Sequence, residues 1–367
     1  MIKVTLTNAI LRQITAIEEY RFRTSDMEIP ALTMNRLRKN SKKRSSYASS
    51  KIEGNPLSEQ QADEAIERDE HRHFLKPEQE VRNYFAALSL LERKLAEKQQ
   101  VTTKLIMEVQ AIVEKGASRE KIGLRGPMPP GVLFAVYDAQ TGSPGYIPPE
   151  SSEIPELLSE LEGYVKNTDD HPLIIAAVVH YQLITIHPFE DGNGRTARLV
   201  SGYILDYYGY GFQGIGSLEE YFAYDPEEYY ASLQMGLPAL YHAGRDNPPH
   251  PEIWVSYFLR MMELYAKKVS DLASEAMGSS AEEGLSHLKA RERDLLAFVL
   301  ENGIREFTPI ELSRQLGVTN KTVINRTANL VENGFIVPML VKERIRSYRR
   351  SDFTDANEEL ILEALRS

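Results

Sequence analysis

Residues 173–186, LIIAAVVHYQLITI, constrain the fold more than any other stretch, because at helical pitch they present no polar face. A helix apolar on nearly every side has to sit at the centre of a domain, covered all round by other elements. His180, Tyr181, Gln182 and Thr185 make it too polar, and its length too short, to cross a bilayer. Asp170 stands where a cap is needed and Pro172 in the first turn, and the helix stops at His187-Pro188.

The neighbouring segments supply the cover. Residues 3–19 carry apolar positions at helical spacing, and a basic helix over 36–51 ends at Glu53-Gly54-Asn55-Pro56, a strong stop. Ser58 with Gln61 reads as a capping box, and residues 77–98 as a long amphipathic helix. Residues 132–137 are β-rich; the turn-prone 138–142 and then Tyr146-Ile147 complete a hairpin, after which helix resumes over 155–167. Ser- and Glu-rich residues 274–286 read as a linker. The expected organisation is a helical region over 1–98, a core over 99–273 with a hairpin at about 131–148, that linker, and a small unit over 287–367.

The net charge of −10 argues against indiscriminate nucleic-acid binding, so any such contact needs a local basic surface. The absence of cysteine excludes disulfides, thiol nucleophiles and zinc–thiolate sites. With no signal-peptide pattern at residues 1–20 and no membrane-spanning stretch, the expected location is the cytoplasm.

The chemistry is concentrated at residues 187–198, HPFEDGNGRTAR. Gly192 and Gly194 open backbone conformations that let successive N–H groups converge at the start of a helix, expected near Arg195, where the helix dipole favours anions. Arg195 and Arg198, three apart, add two guanidiniums suited to a polyphosphate. Asp191 can hold magnesium against phosphate oxygens, and His187 at the rim can accept a proton from a hydroxyl. A calcium loop starting at Asp191 fails, because it needs glycine where Thr196 stands and glutamate where Gly202 stands.

This stretch resembles the Fic motif, HPFx[DE]GNGRxxR, at every specified position. The resemblance implies a mainly α fold, a helical core with a β-hairpin flap, and transfer of AMP from ATP to Ser, Thr or Tyr hydroxyls of a protein target, or of the chain itself, releasing pyrophosphate. It implies His187 as general base, Asp191 as the Mg2+ ligand and Phe189 as the loop's anchor in the core. It also implies ATP contacts from Asp191, Gly192, Asn193, Gly194, Arg195, Thr196, Ala197 and Arg198. The pair Tyr229-Tyr230 matches a family pair beside the adenine, although tyrosines in such a helix also serve as core. Val136 and Tyr137 fall in the flap, which would hold the target by strand addition. Gly194 stands where a kinase-like branch has lysine, which favours AMP over phosphate transfer.

Ser49-Ser50-Lys51-Ile52-Glu53-Gly54 resembles a second family signature, [ST]xxxE[GN], on an inhibitory helix at about 41–54. The resemblance implies that Ser49, Glu53 and Gly54 form a brake, with Glu53 in a bidentate pair on Arg198 that occupies the charge meant for the γ-phosphate. Residues 308–329 read as a helix-turn-helix and Gly334-Phe335-Ile336 with the basic run 342–350 as a wing, similar to the winged-helix domain of many Fic proteins. Lys321, Arg326, Lys342, Arg344, Arg346, Arg349 and Arg350 are its candidate phosphate contacts, and DNA and protein partners both stay open. A transcriptional regulator with a nucleotide-sensing core, a de-AMPylating enzyme, and an enzyme using another donor are the alternative functions. Dimers are common among similar proteins.

Overall fold

The computed structural model describes the chain apart from residues 26, 28, 30, 69–72, 118–121, 133, 138–143, 239–246, 277–284, 342, 343 and 367. The expected hairpin turn, most of the expected linker, Lys342, and most of a Pro- and Gly-containing stretch at 238–251 lie outside the described residues. The chain divides into two units, one of Met1–Ser25 with Ser41–Ser270 and one of Asp26–Asn40 with Asp271–Ser367. Most of residues 1–98 belong to the first unit.

That unit is helical. Its elements are α1 (Asn8–Ser25), the later turns of α2 (Ala31–Ile52), α3 (Glu59–Glu67), α4 (Lys76–Ala96), α5 (Thr103–Val113), α6 (Ile154–Asn167), α7 (Pro172–Ile186), α8 (Asn193–Tyr207), α9 (Glu219–Tyr224), α10 (Pro226–Gln234) and most of α11 (Pro251–Ala276). The first helix runs later than expected and α2 starts earlier. The Ser58 capping box forms as read, its side chain accepting from the Gln61 N–H. His171, not Asp170, caps α7: its Nδ1 accepts from the Leu173 N–H at 3.3 Å, while Asp170 accepts from the Tyr164 hydroxyl at 2.7 Å. The two-residue strand β1 (Val136–Tyr137) pairs antiparallel with β2 (Pro144–Tyr146), a hairpin shorter than the expected 131–148.

Helix α7 is the buried centre, with all but two of its fifteen residues inside. It packs on α8, to which the His187 loop joins it, with α4 and α5 also against α8. Its one large polar side chain in the aromatic core, His180, is fully buried and satisfied on both ring nitrogens, by Ser201 Oγ at 3.1 Å and the Tyr229 hydroxyl at 2.8 Å. Burial first, and Arg198 second, hold its pKa well below the ordinary imidazole value, so it is a neutral structural histidine. Trp254 of α11 packs on that ring and donates to the Ala177 carbonyl at 2.7 Å, joining α11 to α7.

The second unit holds α12 (Ala290–Glu301), β3 (Glu306–Phe307), α13 (Pro309–Leu316), α14 (Asn320–Glu332), β4 (Ile336–Val341), β5 (Arg344–Arg350), α15 (Asp352–Ala356) and α16 (Glu358–Arg366). The strands form an antiparallel sheet in the order β3-β5-β4. Thr308 caps α13 in a reciprocal box with Glu311, Gly317 ends it at φ +64°, and Thr319 caps α14. Leu296, Val299, Leu312, Val323, Leu330 and Phe335 fill the core beneath. Arg350 is not on the surface: it is 3% exposed and bonds Asp355 and both oxygens of Glu358. It secures α15 and α16 and is removed from the candidate phosphate contacts.

Trp254 is the only tryptophan, so its fluorescence reports on the α7 core directly. Its emission should be strongly blue-shifted in the native protein. Trp254→Phe, which loses the bond to Ala177 and part of the packing, should cost about 1–3 kcal/mol by denaturant unfolding.

Candidate active site

The site is built on the turn from α7 to α8. His187 is the last residue of that turn's first half and adopts the left-handed conformation, φ 48° and ψ 58°, with its N–H still bonded to the Leu183 carbonyl at 3.1 Å. A non-glycine residue there is strained and has to be held. Arg125 does so: its N–H donates to the Pro188 carbonyl at 2.9 Å and its Nε to the His187 carbonyl at 2.7 Å, while Nη2 donates to the Pro149 carbonyl. Phe189 is fully buried and pairs with Leu124 across an isolated bridge. Nothing in the sequence reading had pointed to Arg125, which lies 62 residues before the histidine it holds.

The imidazole Nδ1 lies 3.3 Å from the Ile184 carbonyl, which can only accept, so Nδ1 carries the proton and Nε2 keeps its lone pair. Burial is the main cause of a His187 pKa lowered to about 4; Arg125 adds to it, and the Ile184 bond, Glu53 and Asp191 oppose it. A neutral imidazole with a free Nε2 is what a general base requires. The ring sits 5.9 Å from that of Phe134, just before β1, so hairpin and imidazole are neighbours.

The loop that follows is closed by Asn193. Its Oδ1 accepts from the Phe189 N–H at 3.0 Å and its Nδ2 donates to the Phe189 carbonyl at 2.9 Å. The Asn193 side chain is thus spent on the loop, leaving its backbone, the first residue of α8, for any ligand. Helix α8 starts there, two residues before the expected Arg195. Gly192 has φ +82°, open to glycine above other residues. A Cβ on it would also lie 2.5 Å from Glu114 Oε1, and one on Gly194 would lie 2.1 Å from Glu53 Oε1. Each glycine of the loop is therefore faced by a carboxylate.

The two arginines of α8 divide those carboxylates. Arg198, 2% exposed, donates Nη2 to Glu53 Oε1 at 2.7 Å and to the Ser49 carbonyl at 3.0 Å, and Nε to Ser49 Oγ at 2.8 Å. The expected bidentate pair is not formed: Glu53 takes one guanidinium nitrogen, Ser49 takes the others' place, and Nη1 makes no hydrogen bond. Gly54, at φ +81°, ends α2 directly after Glu53. Arg195, 4% exposed, lies 3.0 Å from Glu114 Oε1, 3.2 Å from Asp191 Oδ1 and 3.8 Å from Glu80 Oε1. Burial, opposed by Arg195, raises the Glu114 carboxyl to about 7. Asp191 is more open and also accepts from the Gly192 N–H at 2.7 Å.

Thr196 and Ala197 are buried under the first turn of α8, and Thr196 Oγ1 makes no hydrogen bond. Tyr229 is fully buried on His180 and belongs to the core, whereas Tyr230 is 46% exposed. Of that pair only Tyr230 has a face for a ligand. Val136 is half-buried and Tyr137 is 63% exposed on the hairpin. Glu114, Glu80 and Gln110, whose Nε2 donates to the Asp191 carbonyl at 3.3 Å, were also missed; they come from α4 and α5, and their approach is a product of packing.

Residues 100–205 match the family model described as Fic/DOC family, so this chain carries that domain. Protein adenylyltransferase Fic of Drosophila grimshawi is 28% identical over 211 residues, covering 54% of this chain and 40% of that protein. Its counterpart in Culex quinquefasciatus is 32% identical over 177 residues, covering 45% and 32% respectively. The chain thus spans well under half the length of these curated relatives. Among solved structures, a Fic family protein from Desulfovibrio desulfuricans G20 superposes with a TM-score of 0.60 at 22% identity, covering 96% of this chain and 98% of that one. Fic-1 from C. elegans gives 0.56 at 22% identity, covering 73% and 72%. At that identity the structures speak to the fold.

The depressed His187 value has a testable sign. The folded state refuses a proton that the unfolded imidazole accepts, so this contribution to stability is intact above about pH 6.5 and is lost as pH falls towards 4. By NMR titration the His187 ring should stay neutral from pH 8 to 6. A midpoint above 6 would contradict the buried, proton-poor setting.

Proposed function

We propose that the chain is a protein adenylyltransferase that holds itself inactive through Glu53. The observation that carries the reading is Glu53 Oε1 lying against Gly194 and 2.7 Å from Arg198 Nη2, where an anionic phosphate oxygen would lie. That carboxylate stands in for a ligand anion. The surplus donors agree: Arg195 Nε and Nη1 and Arg198 Nη1 are buried without a hydrogen bond, an arrangement that suits a triphosphate.

The transfer follows from this geometry. A hydroxyl of the target, held along the open edge of the hairpin at Val136 and Tyr137, attacks the α-phosphorus of ATP. His187 Nε2 takes its proton as the oxygen–phosphorus bond forms. The bond from the α-phosphorus to the bridging oxygen breaks, and pyrophosphate leaves with the electron pair. Arg195 and Arg198 hold the charge that gathers on the departing group. Asp191, partly exposed and beside the Gly192 N–H, is the residue suited to hold Mg2+ with phosphate oxygens, and the ion would supply positive charge against the leaving group. Tyr230 is suited to flank the adenine. A cytoplasmic location, where ATP is abundant, fits the cysteine-free chain, and no helix among the described residues is long and apolar enough to cross a membrane.

Glu53→Gly should raise AMP transfer from α-labelled ATP, to the chain or to a lysate target, by about 5–150-fold. His187→Ala in that background should abolish it. Equal rates with and without Glu53 would remove the brake, and persistent labelling without His187 would remove the base.

For the second unit we propose a winged helix that binds duplex DNA. The exposed face of α14 carries Asn320, Lys321, Ile324, Asn325 and Ala328, a set able to meet adenine edges, thymine methyls and phosphates in a major groove. Arg346 and Arg349 are exposed on β5, the wing. Full-length protein should therefore bind duplex oligonucleotides in a salt-dependent manner. Arg349→Ala should weaken all sequences alike and reduce the slope of log affinity against log salt by about 1. Binding with no salt dependence, or none at low salt, would favour a protein partner for this face.

A further inference from the structure

We infer that Glu114 is a positioning residue for the triphosphate site, acting through Arg195; this rests on the nucleotide reading above and extends it. Glu114 follows the last residue of α5 and is 2% exposed. Its backbone cannot easily move away: Asn83 Nδ2 donates to the carbonyls on both sides, Val113 at 2.8 Å and Lys115 at 2.9 Å, and the Glu114 carbonyl accepts from the Ala117 N–H at 3.1 Å. Gln110, one turn earlier, ties the same helix to the loop through the Asp191 carbonyl. The Glu114 carboxylate is thus delivered beneath Gly192, where a Cβ would lie 2.5 Å from Oε1, with that oxygen 3.0 Å from Arg195 Nη2.

Among the described residues neither Glu114 oxygen makes a hydrogen bond, and the ion pair with the Arg195 guanidinium is its close charged contact. A carboxylate placed at such a cost of desolvation, with its helix tied to the loop, is poorly explained by stability alone. Glu53 differs: its side chain is 32% exposed, and it stands between Ile52, the last residue of α2, and the left-handed Gly54, a more open place from which to withdraw. Glu114 cannot withdraw. It stays on Arg195 when a phosphate arrives, engages Nη2, and leaves Nε and Nη1, both without hydrogen bonds, as the donors for the ligand. Without it, Nη2 is left to Asp191 at 3.2 Å and the guanidinium turns towards that carboxylate.

The role is read out by phosphate number. In Glu53→Gly protein, Glu114→Gln should weaken ATP binding about tenfold by calorimetry with magnesium present, and leave AMP, which lacks the outer phosphates, within about twofold. Once Arg195→Gln is also present, Glu114→Gln should add nothing, since its effect runs through that side chain. ATP bound as tightly as before, or more tightly, overturns the role. So does an equal loss for AMP, which marks a merely structural residue, or a full loss that persists in the Arg195→Gln background. If Glu53→Gly protein with Glu114 intact binds no ATP, the nucleotide reading fails and this inference with it. Normal ATP binding there, unaffected by Glu114→Gln, removes the positioning role alone.

Discussion

The site turns on one buried guanidinium. Arg198 is sealed inside the first unit, and a charge in that position must be met by something. Ser49 satisfies part of it through both its hydroxyl and its carbonyl, and these contacts hold α2 in register against α8 whatever else is bound. The remaining demand is met by Glu53. Glu53 stands between the last residue of α2 and Gly54 with a third of its side chain in solvent, so on the proposed reading another anion would take its place on Arg198 while Ser49 keeps the helix seated. A residue further inside α2 would have been too rigid for that exchange, and one beyond Gly54 would not have been aimed at the loop.

The same economy governs His187. A helix as apolar as α7 has to end inside the protein, which leaves its last carbonyls in need of donors. Arg125 provides one, on the His187 carbonyl, and in doing so fixes the left-handed turn that brings the imidazole out of the core. Asn193 and Phe189 then close the loop, so that its glycines are presented in one conformation. Packing, backbone strain and the neutral state of the base are consequences of a single decision about where a buried helix stops.

What could be read in the sequence follows from which forces are local. The cap at Ser58, the extent of α7 and the left-handed Gly192 are set by residues within a few positions of one another. The motif arginines and Glu53 were legible as chemistry, because their residue types and order are themselves the signal. The partition of partners was not legible. That Glu53 shares Arg198 with Ser49, that Tyr229 goes to the core while Tyr230 stays out, and that Arg350 is consumed by Asp355 and Glu358 all depend on tertiary packing. Arg125, Glu80 and Glu114 lie 62, 115 and 81 residues from the groups they hold, at positions with no motif around them.

The charge around the loop carries the argument one step further. Arg195 and Arg198 are met by Asp191, Glu80, Glu114 and Glu53, four carboxylates against two guanidiniums. With all of them ionised, these six side chains sum to a net negative charge, which opposes the entry of a triphosphate. Burial already relieves part of this by raising the Glu114 carboxyl to about 7. Withdrawal of Glu53 relieves another charge, and a divalent cation at Asp191 would reverse the sign. On the proposed reading the brake would have two parts of different character: a local competition for one arginine, and a field that makes nucleotide entry depend on what neutralises the carboxylates. The second part explains why a single, singly bonded and partly exposed glutamate can be enough for the first.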